Sequence, residues 1–299
     1  MSRKIIYIIN PISGTRVKAD LEKLIVQKTK EAGISFEIFP SVAGGDYSFL
    51  PPVIKEKKIT DIIIAGGDGT VSQVINGLMQ HDVNFGIIPC GSGNGLAFAA
   101  KIPKQPVRAL DVIFKGKAVA TDGFYINNQF ACMLAGLGLD AKVAYDFTLQ
   151  SKRGLKTYIR LVIKNFFLAK TYPFTIELGK QKTELDAFFI SIANSNQFGN
   201  NFKIAPKASL HDGLLDIVIA TRQTKLSFFL HTFRQITGLV GLQSESVISK
   251  NKSLIYFQTK DLTIFNRSSA PFHIDGEPAE TPGKLNIEIK EKCFRLIQP

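Results

Sequence analysis

The sequence predicts an α/β domain built on a mostly parallel sheet, followed by a β-rich second domain. Two observations predict the first half. Ile5-Ile6-Tyr7-Ile8-Ile9 and Ile62-Ile63-Ile64 are continuous apolar runs, as expected of strands covered on both faces. Each leads into a polar turn and then into apolar residues at helical spacing, so strands alternate with helices. A third observation predicts the second half: beyond about Lys117, short apolar segments separated by polar turns replace that alternation. A chain of 299 residues is long enough for two domains.

Taken in order, Ile5 to Ile9 is the first strand, and Asn10-Pro11-Ile12-Ser13-Gly14-Thr15 is turn chemistry. Val17, Leu21, Leu24 and Ile25 mark an amphipathic helix that ends near Gly33. Phe36 to Phe39 is a second strand, and a helix with Pro51 and Pro52 early in it runs toward Lys58. A third strand closes at Gly66, and Val71, Val74, Ile75 and Leu78 form a helix that the Thr70 hydroxyl is expected to cap. Phe85 to Pro89 is the fourth strand, followed by the turn Cys90-Gly91-Ser92-Gly93-Asn94-Gly95 and a new helix from Leu96. In the second half, strands are expected around Phe124–Ile126, Phe130–Met133, Phe174–Leu178, Leu185–Ile192, Leu214–Ala220, Leu254–Phe257, Leu262–Ile264 and Leu285–Ile289. Helices interrupt them from about Gly154 to Ala169 and from about Lys225 to Leu242.

Composition narrows the function classes. At 45% hydrophobic and 21% charged, the chain is globular. The 37 basic and 25 acidic residues leave a net charge of +12, which favours nucleotides, nucleic acid or anionic membrane surfaces without choosing among them. Cys90, Cys132 and Cys293 are widely spaced and show no metal-like pairing, so a reducing cytosol is the simple expectation. No run approaches the ~20 apolar residues of a membrane span. No signal-peptide pattern precedes the first strand. Lipid contact is therefore expected to be peripheral.

The stretch from Asp61 to Thr70 carries the most chemistry. A glycine turn feeding a helix N-terminus presents backbone N–H groups to an anion, usually a phosphate. Asp68 would repel that phosphate unless a divalent cation sat between them, so strand, nest and carboxylate together point to Mg-nucleotide chemistry. An ordinary Asp-Gly turn explains the same residues taken alone. Ser13-Gly14-Thr15 and Gly91-Ser92-Gly93-Asn94-Gly95 follow the same logic and have the same plain alternative. Such turns at the ends of one parallel sheet would converge on one crevice. Downstream, Asp275-Gly276-Glu277-Pro278 offers a carboxylate able to take a proton from a hydroxyl as general base; the alternative is a type I turn between strands. The basic, apolar stretch from Lys152 to Lys170 suits an anionic lipid surface, or else a core helix with a solvated basic face. His81, His211, His231 and His273 show no metal spacing; His273 adjoins the acidic cluster and either orients it or is structural.

These pieces, in this order, resemble the diacylglycerol kinase catalytic domain family, bacterial lipid kinases that are similar to sphingosine and ceramide kinases. The resemblance rests on Asn10 to Gly14, Gly66 to Thr70, Pro89 to Asn94, Gly136 to Ala141, Asp212 to Asp216 and Asp275 to Glu277. It implies an α/β nucleotide domain like that of NAD kinases and phosphofructokinases over residues 1–121, completed by about 290–299. A C-terminal β-sandwich over 122–289 would take the lipid. ATP would lie in the cleft, held by Asn10, Ser13, Gly14, Ser41, Gly66, Gly67, Asp68, Gly69, Thr70, Ser92 and Asn94. Asp68 and Asp122 would belong to the Mg2+ network at the phosphates. Glu277 matches the general base, with Asp275 as support. Asp212, with the carbonyls of Ser209 and Leu214, matches a structural Mg2+ site. Bacterial members usually carry aspartate where Gly95 stands, and the family's glycine cluster reads Gly199-Asn200-Asn201 here.

The resemblance implies an ATP-dependent lipid kinase acting on a hydroxyl of a membrane lipid such as diacylglycerol or a sphingoid base. Its cofactors would be ATP and Mg2+, and its partner an anionic membrane surface, met peripherally from the cytoplasm. No nucleic acid is expected, and a homodimer stays open. The alternatives are an NAD kinase-like enzyme and a cationic, nucleotide-responsive membrane-binding protein without catalysis.

Overall fold

The computed structural model describes residues 3–12, 18–150, 155–197, 204–224, 227–228, 230, 242 and 252–299. The chain divides into two compact units, one formed by Met1–Thr121 together with Lys292–Pro299, the other by Asp122–Glu291.

The first unit holds β1 (Lys4–Ile9), α1 (Lys18–Glu31), β2 (Ser35–Pro40), α2 (Leu50–Lys57), β3 (Asp61–Gly66), α3 (Asp68–Leu78), β4 (Asn84–Pro89), α4 (Gly95–Ala99) and α5 (Pro106–Lys115). Its strands lie side by side in the order β4-β3-β1-β2, every pairing parallel. β3 is buried along its whole length, as its unbroken apolar run requires. On one face Ile5, Tyr7, Ile63 and Ile88 pack with Ile25 of α1 and with Leu110 and Ile113 of α5. The apolar side of α3, Val71, Val74, Ile75 and Leu78, is buried. Its polar positions stay outside, the arrangement that makes a helix amphipathic.

Register decides where the loops go. Ile9 pairs with Ala65 and with Pro40, and Gly66 pairs with Pro89. Asn10, Ser41, Gly67 and Cys90 therefore leave the sheet along one edge, at the carboxyl ends of the strands. The last residues of the sequence also belong to this unit. Leu296 pairs with Phe85 of β4, Phe294 meets Phe85 edge to face, and Ile297 enters the core.

A strand, β5 (Lys117–Ile126), leads into the second unit, which continues with β6 (Gln129–Ala131), β7 (Leu134–Gly138), α6 (Leu139–Thr148), α7 (Leu155–Leu168), β8 (Tyr172–Leu178), β9 (Gln181–Ala193), β10 (Leu215–Thr221), β11 (Leu254–Thr259), β12 (Asp261–Asn266), β13 (Phe272–Ile274), β14 (Glu277–Ala279) and β15 (Lys284–Gln298). Its described pairings are antiparallel. β9 is the hub: its first half pairs with β8, and its second half lies between β7 and β10. Phe124, Leu137, Phe174, Ile190, Ile217, Phe257, Ile264 and Ile287 share one core.

Two local expectations change. Thr70 does not cap α3. The helix begins at Asp68 with Gly67 in the N-cap position, and the Thr70 hydroxyl accepts the side-chain amide of Asn10 at 2.7 Å. The turn between β13 and β14 is not type I, because Asp275 and Gly276 both have positive φ, 49° and 84°. That conformation belongs to the mirror-image turn whose twist suits two antiparallel strands joined by two residues. The helix expected near 225–242 and the glycine-cluster position at 199–201 lie outside the described residues, apart from isolated positions of the former.

Candidate active site

In the first unit the site is a row of turns. β1 ends at Asn10, whose N–H donates to the Ala65 carbonyl and whose side-chain oxygen accepts the Ile12 N–H. β2 ends at Ser41, whose N–H donates to the Ile9 carbonyl. After β3, Gly66 and Gly67 turn directly into α3. A Cβ on Gly66 would lie 2.8 Å from the Thr70 Cβ, so glycine is what lets the chain turn there. After β4, the Asn94 side chain closes its loop, accepting the Gly91 N–H at 2.8 Å and donating to the Gly91 carbonyl at 2.7 Å. Asn94 itself holds a left-handed conformation, φ 55°, which asparagine tolerates better than most residues.

The two glycine turns touch. A Cβ added to Gly91 would fall 2.6 Å from the Gly67 Cα, and one added to Gly67 would fall 3.2 Å from the Gly91 Cα. Asp68 reinforces the junction, its Oδ1 accepting the Gly95 N–H at 2.7 Å. The residue at 95 thus meets Asp68 with a backbone amide. The first N–H groups of α3 have no acceptor inside the helix, and the helix dipole adds partial positive charge at the same point. The arrangement suits a phosphate chain. Asn10, Ser41, Gly66, Gly67, Asp68, Gly69, Thr70, Ser92 and Asn94 all stand on this edge, in or beside these turns; Ser13 and Gly14 lie outside the described residues.

In the second unit the site is a hairpin. β13 pairs with β7 on one side and β14 on the other. The turn between β13 and β14 puts Asp275 inside and Glu277 outside. Asp275 is buried. Its Oδ1 accepts the N–H groups of Met133 (2.9 Å) and Leu134 (3.0 Å), and its Oδ2 that of Cys132 (3.0 Å). Its own N–H donates to the Leu134 carbonyl at 2.7 Å. A carboxylate held by backbone donors on both oxygens is a brace. Glu277 is exposed, and its carboxylate has no polar partner among the described residues.

Asn194, which the sequence marks only as part of the loop beside the Gly199-Asn200-Asn201 departure, holds this hairpin's support together. Fully buried, it donates to the carbonyls of Asp122 (2.8 Å) and Cys132 (3.0 Å), while its backbone N–H donates to Met133. It pins the segment whose amides hold Asp275. Only its place in a polar run after an apolar strand hinted at this.

Asp122 lies in the same unit. Its Oδ2 accepts the Gly213 N–H at 2.8 Å, and its N–H donates to Leu210. Asp212 follows in that turn, accepting the Leu214 N–H at 3.1 Å, with Ser209 accepting the His211 N–H at 3.3 Å. Partial burial, and secondarily the Asp122 charge, push the Asp212 carboxyl above its ordinary range. Two carboxylates within electrostatic reach offer hard oxygen donors of the kind that Mg2+ takes, although each here also accepts a backbone N–H. Among the described residues no three His, Cys, Asp or Glu side chains gather as a metal centre, so such an ion would need carbonyls and water as well.

Comparison with known proteins matches two successive parts of the chain. Residues 4–126 match the diacylglycerol kinase catalytic domain, and residues 134–297 match the YegS C-terminal NAD kinase β-sandwich-like domain. A diacylglycerol kinase of Bacillus subtilis is 27% identical over 281 residues, covering 92% of this chain and 89% of its own. One from Staphylococcus carnosus is 24% identical over 278 residues, covering 92% and 88%. A crystal structure of a diacylglycerol kinase from Bacillus anthracis shares the fold with a TM-score of 0.73 at 22% identity, covering 99% of this chain and 97% of that one. The parallel sheet with its glycine turns and the β-sandwich with its acidic hairpin thus each fall under one of these family models, and the chain belongs to the diacylglycerol kinase family of lipid kinases.

Proposed function

We propose that this protein transfers the γ-phosphoryl group of ATP to a hydroxyl of a membrane lipid, such as diacylglycerol or a sphingoid base. The observation that carries the reading is Glu277: an exposed, unpartnered carboxylate on a hairpin that a second, buried carboxylate braces. Residues 1–121, with about 290–299, form the nucleotide domain, and 122–289 the lipid domain. Mg2+, when bound, supplies positive charge against the phosphates. Asp68 and Asp122 would hold it there, and Asp212, with the carbonyls of Ser209 and Leu214, would hold a second, structural ion. The N–H groups at Gly67 and Gly69 stabilise negative charge on the transferred group. Asn10, Ser41, Thr70, Ser92 and Asn94 set the nucleotide's place, with Ser13 and Gly14 beside them. Glu277 accepts the proton of the lipid hydroxyl as that oxygen attacks phosphorus.

The net charge of +12 would bring the enzyme peripherally to an anionic membrane from the cytoplasm, an attraction that salt weakens. No helix among the described residues is long and apolar enough to cross a membrane. A labelled-ATP assay, run with and without Mg2+, tests the reading on diacylglycerol, sphingoid base, ceramide, phosphatidylglycerol, undecaprenol and NAD. Label on a lipid is the expected result. Label on NAD alone, or on nothing, would overturn it. Glu277→Gln should lose about 10²- to 10⁴-fold in turnover while still binding nucleotide; near-normal turnover removes Glu277 from the role of base.

A further inference from the structure

Beneath the Asp275–Gly276 turn lies a buried pair that the proposed mechanism leaves unused. His273, on β13, is 1% exposed. Its Nδ1 accepts the backbone N–H of Gly276 at 3.3 Å. An imidazole that accepts at Nδ1 carries its proton on Nε2. That nitrogen lies 3.1 Å from Oδ2 of Asp140, a close contact without the alignment of a hydrogen bond. Both atoms are buried, and neither has any other polar partner among the described residues. Asp140 sits in the first turn of α6, where the helix dipole favours a carboxylate.

The space around the pair is reserved for it. Gly136 stands opposite His273 in the β7–β13 ladder. A Cβ there would fall 2.1 Å from the Asp140 carboxylate oxygen and 2.6 Å from the imidazole Nε2. Any side chain at 136 would push the two apart. Three separate elements, β7, α6 and β13, thus converge to hold one ring in one orientation. The ring's other nitrogen then grips the residue immediately before Glu277.

We propose that His273, oriented by Asp140, is a positioning residue: through the Gly276 N–H it fixes the two-residue turn and thereby the direction in which Glu277 leaves the hairpin. The proposal rests on the reading of Glu277 as general base. Asp275 ties the inner corner of the turn to the 132–134 backbone, and His273 ties the outer corner. Without the second tie the hairpin stays paired, but its tip can swing. A base displaced by about 1 Å can lose on the order of 100-fold in rate while substrates bind as before.

Two substitutions separate the ring's two ends. His273→Asn keeps an acceptor near the Nδ1 position and gives up the reach to Asp140. His273→Gln keeps a donor toward Asp140 and gives up the acceptor for Gly276. Expected is a fall in kcat of about 30- to 100-fold for His273→Gln, with KM for ATP and for the lipid within about twofold, and rescue to within about threefold by His273→Asn. A purely structural histidine predicts loss of folded protein with unchanged kcat per active site, or equal damage from both variants; either result overturns the proposal. Imidazole 15N shifts of the intact wild-type protein give a readout independent of turnover and of variant folding. A proton on Nε2 at neutral pH supports the proposal, and one on Nδ1 overturns it. Glu277→Gln assayed in parallel tells the two ideas apart. If that variant is inactive while His273→Gln is normal, the positioning role fails and the base stands. If Glu277→Gln is fully active, both fall.

Discussion

At the strand ends of the first unit the working groups are backbone N–H groups; at the hairpin of the second unit they are carboxylates that backbone N–H groups hold. In the first case glycine clears side chains away, so that Gly67 and Gly91 can bring two turns into contact. In the second, the same kind of donor points inward at Asp275 and leaves Glu277 exposed. The contrast teaches that two acidic residues one glycine apart can do opposite work. What separates them is how many amides each meets.

Removing the brace should show this most strongly. Asp275→Ala leaves the N–H groups of Cys132, Met133 and Leu134 facing an empty site, and should cost about 3–5 kcal/mol by chemical denaturation. A cost below about 1 kcal/mol would mean that water replaces the carboxylate and that the cradle is not what fixes the hairpin. A third carboxylate sharpens the point, because it is buried without backbone donors. Asp216 is held by the Tyr256 hydroxyl and by Gln258 Nε2, and burial pushes its carboxyl up to about 6. Between about pH 4 and 6 the folded chain keeps a proton that the unfolded chain has released, so this group's contribution falls as pH rises through that window. Asp216→Asn should therefore stabilise the protein at pH 7 by up to about 3 kcal/mol, the gain vanishing near pH 4. Thermal melts at both pH values would measure it, and an equal effect at both would deny the assigned cause. On the first-unit side, Gly91→Ala drives a methyl into the Gly67 backbone and should cost about 1–3 kcal/mol together with weaker ATP binding. Titration with a fluorescent ATP analogue would follow it. Unchanged affinity would show that the contact between the turns does not shape the nucleotide site.

How much of this could be read from sequence follows the range of each interaction. The strand, turn and helix succession of the first unit was legible because apolar runs and glycine turns are local signals. The short α5 and α6 were not foreseen: their apolar positions interrupt strand-like surroundings, and α6 starts within Gly138-Leu139-Asp140, which reads as a turn. Thr70 looked like a cap because hydroxyls often are. In the fold a distant amide, Asn10, claims it instead. β15 read as a strand only as far as Ile289, since Lys290, Glu291 and Lys292 are all exposed and break the inside–outside alternation, which resumes out of phase at Phe294. The His273–Asp140 pair joins residues far apart in sequence, and nothing in either neighbourhood names the other.

The first unit is discontinuous in sequence: Leu296 and Ile297 supply its sheet and core only after the whole second unit has been spelled out. On the ribosome this has a consequence. The glycine turns of residues 66–95 emerge early, but the strand that completes their sheet emerges only after the second unit. A chain interrupted anywhere in the second unit would carry these glycine turns on an unfinished sheet. Synthesis of the second unit thus becomes a condition for finishing the first, and incomplete products carry an open strand edge, the kind of surface that makes partly folded chains prone to aggregate.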